Sequence, residues 1–296
     1  MEDKDKLNKI KLSNICITGL GLIGGSIGKA LKNNLCNLDT DVLNIYGLDS
    51  SEEVLNNAIS DGVINKKIGS DFSGYNTIDL LIISIFPRDT INYILDVIPK
   101  LKRGCIIVDC AGVKSAVINA IQQKALEYGV IFIGGHPMAG REVTGYESSL
   151  PDLFGRASML LVPNLSSNQE SIEVLSAFFT QIGFKKIILC TAEEHDRIIA
   201  YTSQLAHVVS NSYVKSKMIE KHEGYSAGSY KDMTRVAYLN EVVWEELFML
   251  NKDFLVKEID EFLANLTEMR DCIEQGNSEK LLELLKTGKD LKDLYK

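Results

Sequence analysis

The segment Gly19-Leu20-Gly21-Leu22-Ile23-Gly24 constrains this chain more than any other, because it follows the apolar run Asn14–Thr18 and opens an amphipathic stretch near 22–33. Glycine serves three purposes there. Gly19 permits a tight turn, Gly21 lets backbone approach a diphosphate, and Gly24 lets helix pack closely on strand. The diphosphate then rests on the positive end of the helix, so no basic patch is required. Gly19, Gly21, Leu22, Ile23 and Gly24, together with Ser84 in the run Asp79–Ile85, are the expected dinucleotide contacts.

A second apolar run, Val42–Leu48, is followed at once by Asp49, twenty-five residues past Gly24. A carboxylate there accepts hydrogen bonds from adenosine ribose hydroxyls and repels a 2′-phosphate, which favours NAD over NADP. Ser50 and Ser51 would tolerate a phosphate. The slightly long spacing is assigned to a loop extension at Cys36–Asp41. The competing reading makes Asp49 a cap for a helix starting near Ser51.

Further runs at Cys105–Asp109 and Val130–Gly134 alternate with amphipathic stretches near 51–60, 88–98 and 115–127. Such alternation predicts an α/β fold, a Rossmann-type doubly wound, mainly parallel sheet. Ser158–Val162 and Lys186–Leu189 flank a helix near 168–181 and are expected to extend the same sheet. From Ala192 onward there is no proline and little strand signal, only helical periodicity, so an all-helical C-terminal domain follows. The expected division is 1–189 for the nucleotide and 190–296 for dimerisation and the substrate pocket. One helix over 236–255, apolar on more than one side, is expected to need a partner surface, which a homodimer would supply.

Composition excludes several classes of function. Of 296 residues, 32 are Lys or Arg and 40 are Asp or Glu, a net charge of −8 that leaves no basic face for nucleic acid. The opening MEDKDKLNKIK lacks the apolar core of a signal peptide, and no apolar run is long enough to span a membrane. Six cysteines without a CxxC pair read as reduced, mostly buried thiols of a cytoplasmic protein. Four histidines in no ligand-type spacing give no reason to expect a metal.

The chemistry is sought where the strands end. Asp109-Cys110-Ala111-Gly112-Val113-Lys114 and Gly134-Gly135-His136-Pro137-Met138-Ala139-Gly140-Arg141-Glu142 both lie past apolar strands. His136 is expected in an exposed, glycine-rich loop, free to take the proton of a substrate hydroxyl near neutral pH. Its bland alternative is a loop histidine that only donates to a carbonyl. Ser203, Gln204, His207 and Asn211 fall three or four apart, so on a regular helix they share one polar face. That face would meet either a ligand or a neighbouring helix. His195 precedes His207 by twelve residues, about 18 Å along an ideal helix, so the two would not act on one atom. Tyr230–Arg235 puts cations in a turn-rich segment after Ser226-Ala227-Gly228, and Arg235 there suits a bidentate grip on a carboxylate, or a surface ion pair.

Taken together, Gly19–Ser26, Asp109–Lys114, His136–Glu142, His195-Asp196, Ser203–His207 and Tyr230–Arg235 resemble the prephenate dehydrogenase family, including its arogenate-using members. The resemblance implies NAD-linked oxidative decarboxylation of prephenate to 4-hydroxyphenylpyruvate in tyrosine biosynthesis, with a helical dimerisation domain. It assigns catalysis to His136 and contact with substrate to Arg235, His207, Glu142, Gln204 and Gly112, leaving the role of His195 open. Two positions depart from the pattern: many members carry serine at Gly112 and histidine at Gln204. A β-hydroxyacid dehydrogenase and a non-catalytic dinucleotide sensor are the alternatives.

Overall fold

The computed structural model describes residues 12–35, 43–69 and 73–295. The expected loop extension at Cys36–Asp41, Cys36 itself and the start of the run Val42–Leu48 lie outside the described residues. Among the described residues eight strands, β1 (Asn14–Thr18), β2 (Asn44–Leu48), β3 (Lys66–Lys67), β4 (Leu80–Ile83), β5 (Ile106–Asp109), β6 (Ile131–Pro137), β7 (Ser158–Val162) and β8 (Lys186–Leu189), form one sheet. Its order is β3-β2-β1-β4-β5-β6-β7-β8. The chain starts in the middle and winds first one way and then the other, so a crevice opens between β1 and β4 at the strands' carboxyl ends.

Period-two alternation decides which face each side chain covers. Ile15, Ile17, Leu80, Ile82, Ile106 and Val108 pack into one core cluster. Cys16, Leu81, Ile83 and Ile107 pack into the other. Both faces are therefore buried, as an all-parallel region requires. Helices α1 (Leu22–Leu35), α2 (Glu52–Ser60) and α5 (Gln169–Gln181) cover the first face, and α3 (Pro87–Val97) and α4 (Ser115–Tyr128) the second.

Two strands differ from the sequence reading. β3 contains only Lys66 and Lys67, so apolar alternation could not reveal it; it exists because its backbone pairs with Tyr46 and Gly47. β6 runs on through His136 and Pro137, because β7 returns antiparallel and pairs His136 with Leu160. The expected loop around His136 is thus the end of a strand.

After β8 the chain is helical: α6 (Ala192–Ile199), a wide π turn at Ala200–Gln204, α7 (Leu205–Tyr213), α8 (Gly228–Thr234), α9 (Glu241–Leu250), α10 (Lys252–Glu274) and α11 (Ser278–Leu294). The helix expected over 236–255 is broken at Asn251, whose side-chain amide turns inward to the Asp196 carbonyl at 2.9 Å and to Gln204 Oε1 at 2.7 Å. The segment Tyr230–Arg235, expected to be turn-rich, lies mostly within α8, which ends at Thr234. No helix among the described residues is long and apolar enough to cross a membrane.

Candidate active site

The glycine loop between β1 and α1 meets the steric demands read from its sequence. Gly19 has φ +81°, and a Cβ there would lie 2.5 Å from the Ser84 carbonyl oxygen across the crevice. A Cβ on Gly24 would strike the Gly19 carbonyl at 1.9 Å. Gly21 is different: nothing lies within 4 Å of its would-be Cβ, so its backbone borders open space at the mouth of α1. Leu22 and Ile23 form the first turn of that helix, where amides lack intrahelical partners. The loop therefore fits a diphosphate.

Asp49, just past β2, is not the helix cap. Ser51 caps α2 by accepting from the Val54 amide at 3.3 Å. Asp49 Oδ2 instead accepts from the Leu20 amide at 2.8 Å and Oδ1 from the Ser51 amide at 2.9 Å, tying the glycine loop to β2. A carboxylate has about four acceptor sites, so two backbone bonds leave capacity for ribose hydroxyls. Asp49→Ser is expected to shift the ratio of kcat/KM for NAD over NADP towards NADP. An unchanged ratio would confine Asp49 to loop bracing.

Two side-chain clusters lie beyond this loop. The first centres on His136, on the same carboxyl edge of the sheet as the glycine loop. Its Nδ1 is 2.9 Å from His195 Nε2, the rings tilted by 55°. His195 Nδ1 is 2.7 Å from Asp196 Oδ1. Asp196 also accepts from the Lys114 amide (Oδ1, 2.8 Å) and the Ser115 amide (Oδ2, 2.8 Å), at the start of α4. Below them Lys114, fully buried, is ion-paired with Asp109 and donates through Nζ to the Gly135 carbonyl at 2.7 Å. That buried pair braces the strand residue next to His136.

Burial, reinforced by His195 and Lys114, holds the His136 imidazole well below its ordinary value of 6.5, against a smaller opposing pull from Asp196. His195 is lowered too, chiefly by burial, with its hydrogen bond to Asp196 opposing. Burial would raise Asp196, but hydrogen bonds from His195 and Ser115 outweigh it and keep the carboxylate ionised. His136, expected to be exposed and to titrate near neutrality, is instead half-buried at the strand end and shifted downward. An imidazole with a depressed pKa is neutral, and so competent as a base, above that pKa, and is protonated as pH falls through it. The acid limb of kcat/KM is thus expected well below pH 6.5. Half-loss near 6.5 would contradict this environment.

The second cluster lies in the helical half. His207 Nδ1 donates to the Ser203 carbonyl at 2.9 Å and its ring stacks on Trp244 at 3.6 Å between centroids. Arg235 is ion-paired with Glu142 from the segment after β6, and both charges act on the His207 imidazole. The helix does not present Gln204 and His207 to one surface. The π turn shifts the phase, and Gln204, 1% exposed, donates to the Leu247 carbonyl at 3.2 Å and accepts from Asn251. Gln204 thus packs helices behind the imidazole pair. A Cβ on Gly112 would lie 3.1 Å from Leu247 Cδ2 and 3.9 Å from His136 Cε1, so a leucine from α9 crowds the place beside the imidazole.

Sequence spacing did not reveal the contact between His136 and His195, 59 residues apart, nor the bracing by Asn251. Adjacency of His195 and Asp196 was the available signal. Among the described residues no group of His, Cys, Asp or Glu side chains is arranged to hold a metal. Burial pushes the Cys16 and Cys110 thiols up to about 12, which leaves them inert.

A dinucleotide loop at a topological switch point, with a half-buried imidazole bonded to a buried one on the same sheet edge, defines a dinucleotide-dependent oxidoreductase. The finer placement comes from known proteins. The family described as "Prephenate dehydrogenase, nucleotide-binding domain" matches residues 27–188, and "Prephenate dehydrogenase, dimerization domain" matches residues 191–287. The chain belongs to the prephenate dehydrogenase family. It is 29% identical over 295 residues to the prephenate dehydrogenase of Bacillus subtilis strain 168, covering 97% of this chain and 77% of that protein. It is 30% identical over 281 residues to a cyclohexadienyl dehydrogenase of Zymomonas mobilis, covering 92% of each. Its fold matches the prephenate dehydrogenase of A. aeolicus crystallised with hydroxyphenyl propionate and NAD+, with TM-score 0.84, 24% identity, and coverage of 97% and 99%.

Proposed function

We propose that this chain converts prephenate to 4-hydroxyphenylpyruvate and carbon dioxide with reduction of NAD, a step of tyrosine biosynthesis. The observation that carries the reading is the His136 imidazole, kept neutral by burial and held by His195 on the sheet edge that bears the glycine loop. The residues fit NAD: Gly19, Gly21, Leu22, Ile23 and Gly24 at the diphosphate, Asp49 at the ribose, Ser84 at the opposite wall of the crevice. Bound there, NAD accepts the hydride that leaves C4 of the substrate ring.

The chain's own groups move one proton and hold a carboxylate. His136 Nε2 takes the C4 hydroxyl proton as that carbon becomes a carbonyl. Loss of the ring carboxylate as carbon dioxide generates a phenolate, to which His136 returns the proton. Prephenate dianion and NAD+ give product monoanion, carbon dioxide and NADH, so no net proton leaves. Arg235 binds a substrate carboxylate, with Glu142 holding its guanidinium, and His207 offers Nε2 to the substrate. Gly112 lies beside His136, where Leu247 takes the space a side chain would fill, and Gln204 supports the imidazole pair from behind. A division at 189/190 sets His136, Gly112 and Glu142 with the nucleotide half and Arg235, His207 and Gln204 with the helical half. The exposed Val256, Leu263, Leu266 and Ile273 of α10 and Leu282 and Leu285 of α11 support a homodimer through the helical half.

The test is absorbance at the reduced-nicotinamide band with NAD and either prephenate or arogenate. Turnover of prephenate is expected. Turnover of arogenate alone would reassign the substrate, and binding of NAD without turnover of either would make the chain a sensor.

A further inference from the structure

The proton chemistry proposed for His136 leaves His195 without a duty, yet its contacts determine the protonation pattern of both rings. Asp196 is the fixed end. Each of its oxygens accepts a backbone amide, from Lys114 and from Ser115, both at 2.8 Å, so it stands ionised as an acceptor only. The ring nitrogen 2.7 Å away, His195 Nδ1, must therefore be the donor. In a neutral imidazole the other nitrogen, Nε2, is then bare. It faces His136 Nδ1 at 2.9 Å, which must in turn carry hydrogen. That leaves the lone pair of His136 on Nε2. The opposite pattern would set a bare His195 Nδ1 against a carboxylate, two acceptors in contact at a site where His195 and Asp196 are each 1% exposed.

We propose that Asp196 and His195 form a closed relay behind His136, selecting the tautomer whose Nε2 is the base and sharing the proton that Nε2 receives. The inference rests on the reading of His136 as that base. When Nε2 is protonated, the Nδ1–H of His136 strengthens its bond to His195 Nε2 and passes its proton there. His195 then carries hydrogen on both nitrogens beside ionised Asp196. The charges facing this pair are Asp196 of α6, Lys114 at the head of α4 and, paired with Lys114, Asp109 of β5. Neither relay residue opens to solvent, so the relay returns the proton rather than exporting it, which suits a reaction with no net proton release. His195 is a positioning residue: it acts through His136. Asn251, donating to the Asp196 carbonyl at 2.9 Å, braces the far end from the helical half.

The test is nitrogen-15 NMR of the imidazoles in the full chain without ligand, where only four histidines are present. His136 and His195 are assigned by the signals lost in His136→Asn and His195→Gln. The expected pattern is a protonated Nδ1 and a bare Nε2 on both rings. A protonated Nε2 on either ring overturns the relay. In kinetics, His195→Leu, which removes the acceptor, is expected to lower kcat about 10²-fold or more with little change in KM for prephenate. His195→Gln, whose amide oxygen accepts from His136 and whose nitrogen donates to Asp196, is expected to recover part of that loss. Equal kcat in the two variants and the unaltered chain overturns the proposal. If the tautomers are as expected but prephenate is not turned over, the relay stands and the assignment of the reaction fails.

Discussion

Replacing His136 with asparagine is expected to lower kcat for prephenate by about 10²–10⁴-fold, the usual range for general acid–base assistance, while the affinity for NAD stays near its original value. The side chain sits at the end of β6, remote in the sheet order from the glycine loop after β1, so its loss leaves the dinucleotide cradle intact. Asparagine keeps a polar group in the space but has no nitrogen lone pair to accept a proton. The residual rate reports how much of catalysis is alignment of the two reactants, which positioning alone can make large. Single-turnover absorbance measurements separate the chemical step from binding and release. A near-normal single-turnover rate would remove His136 from the chemistry.

Arg235→Gln is expected to act on the other parameter. Arg235 is about two-thirds exposed and ion-paired with Glu142, and it influences the His207 imidazole. A guanidinium presents parallel donors that fit a carboxylate, and a charge-assisted bond is worth roughly 1.5–3 kcal/mol before solvent screening. Exposure places the effect towards the lower end, about a 10-fold rise in KM for prephenate with a smaller change in kcat. The KM for NAD should not move. Were KM for prephenate unchanged, another cation would hold the carboxylate, and the Arg235–Glu142 pair would be only a surface bridge.

Much of the nucleotide-binding half was legible because its signals are local. Strand β1 follows from an apolar run before glycine, and β7 and β8 were read at their observed bounds, Ser158–Val162 and Lys186–Leu189. What escaped was decided by tertiary pairing. Lys66 and Lys67 form a strand only because β2 offers them an edge. His136 was placed in a loop because glycines surround it, but pairing with β7 extends the strand past them. The end of α9 is set by the inward hydrogen bonds of Asn251, which helical periodicity does not report. At the site, His136, His207 and Arg235 were singled out individually. Their grouping was not visible, since contact of His136 with His195 requires α6 to pack against α4, and the phase of Gln204 depends on the π turn. Local chemistry named the residues, and packing assigned their neighbours.

Catalysis here requires His136 Nε2 to meet the hydroxyl on the carbon that loses hydride. A crystal structure of the chain with NAD and a non-reactive hydroxyphenyl analogue of the substrate tests it most directly. His136 Nε2 is expected within hydrogen-bond reach of the analogue's ring hydroxyl, with Nδ1 still on His195 and the ring between imidazole and nicotinamide. An imidazole turned away from that hydroxyl, with another group in its place, would contradict it.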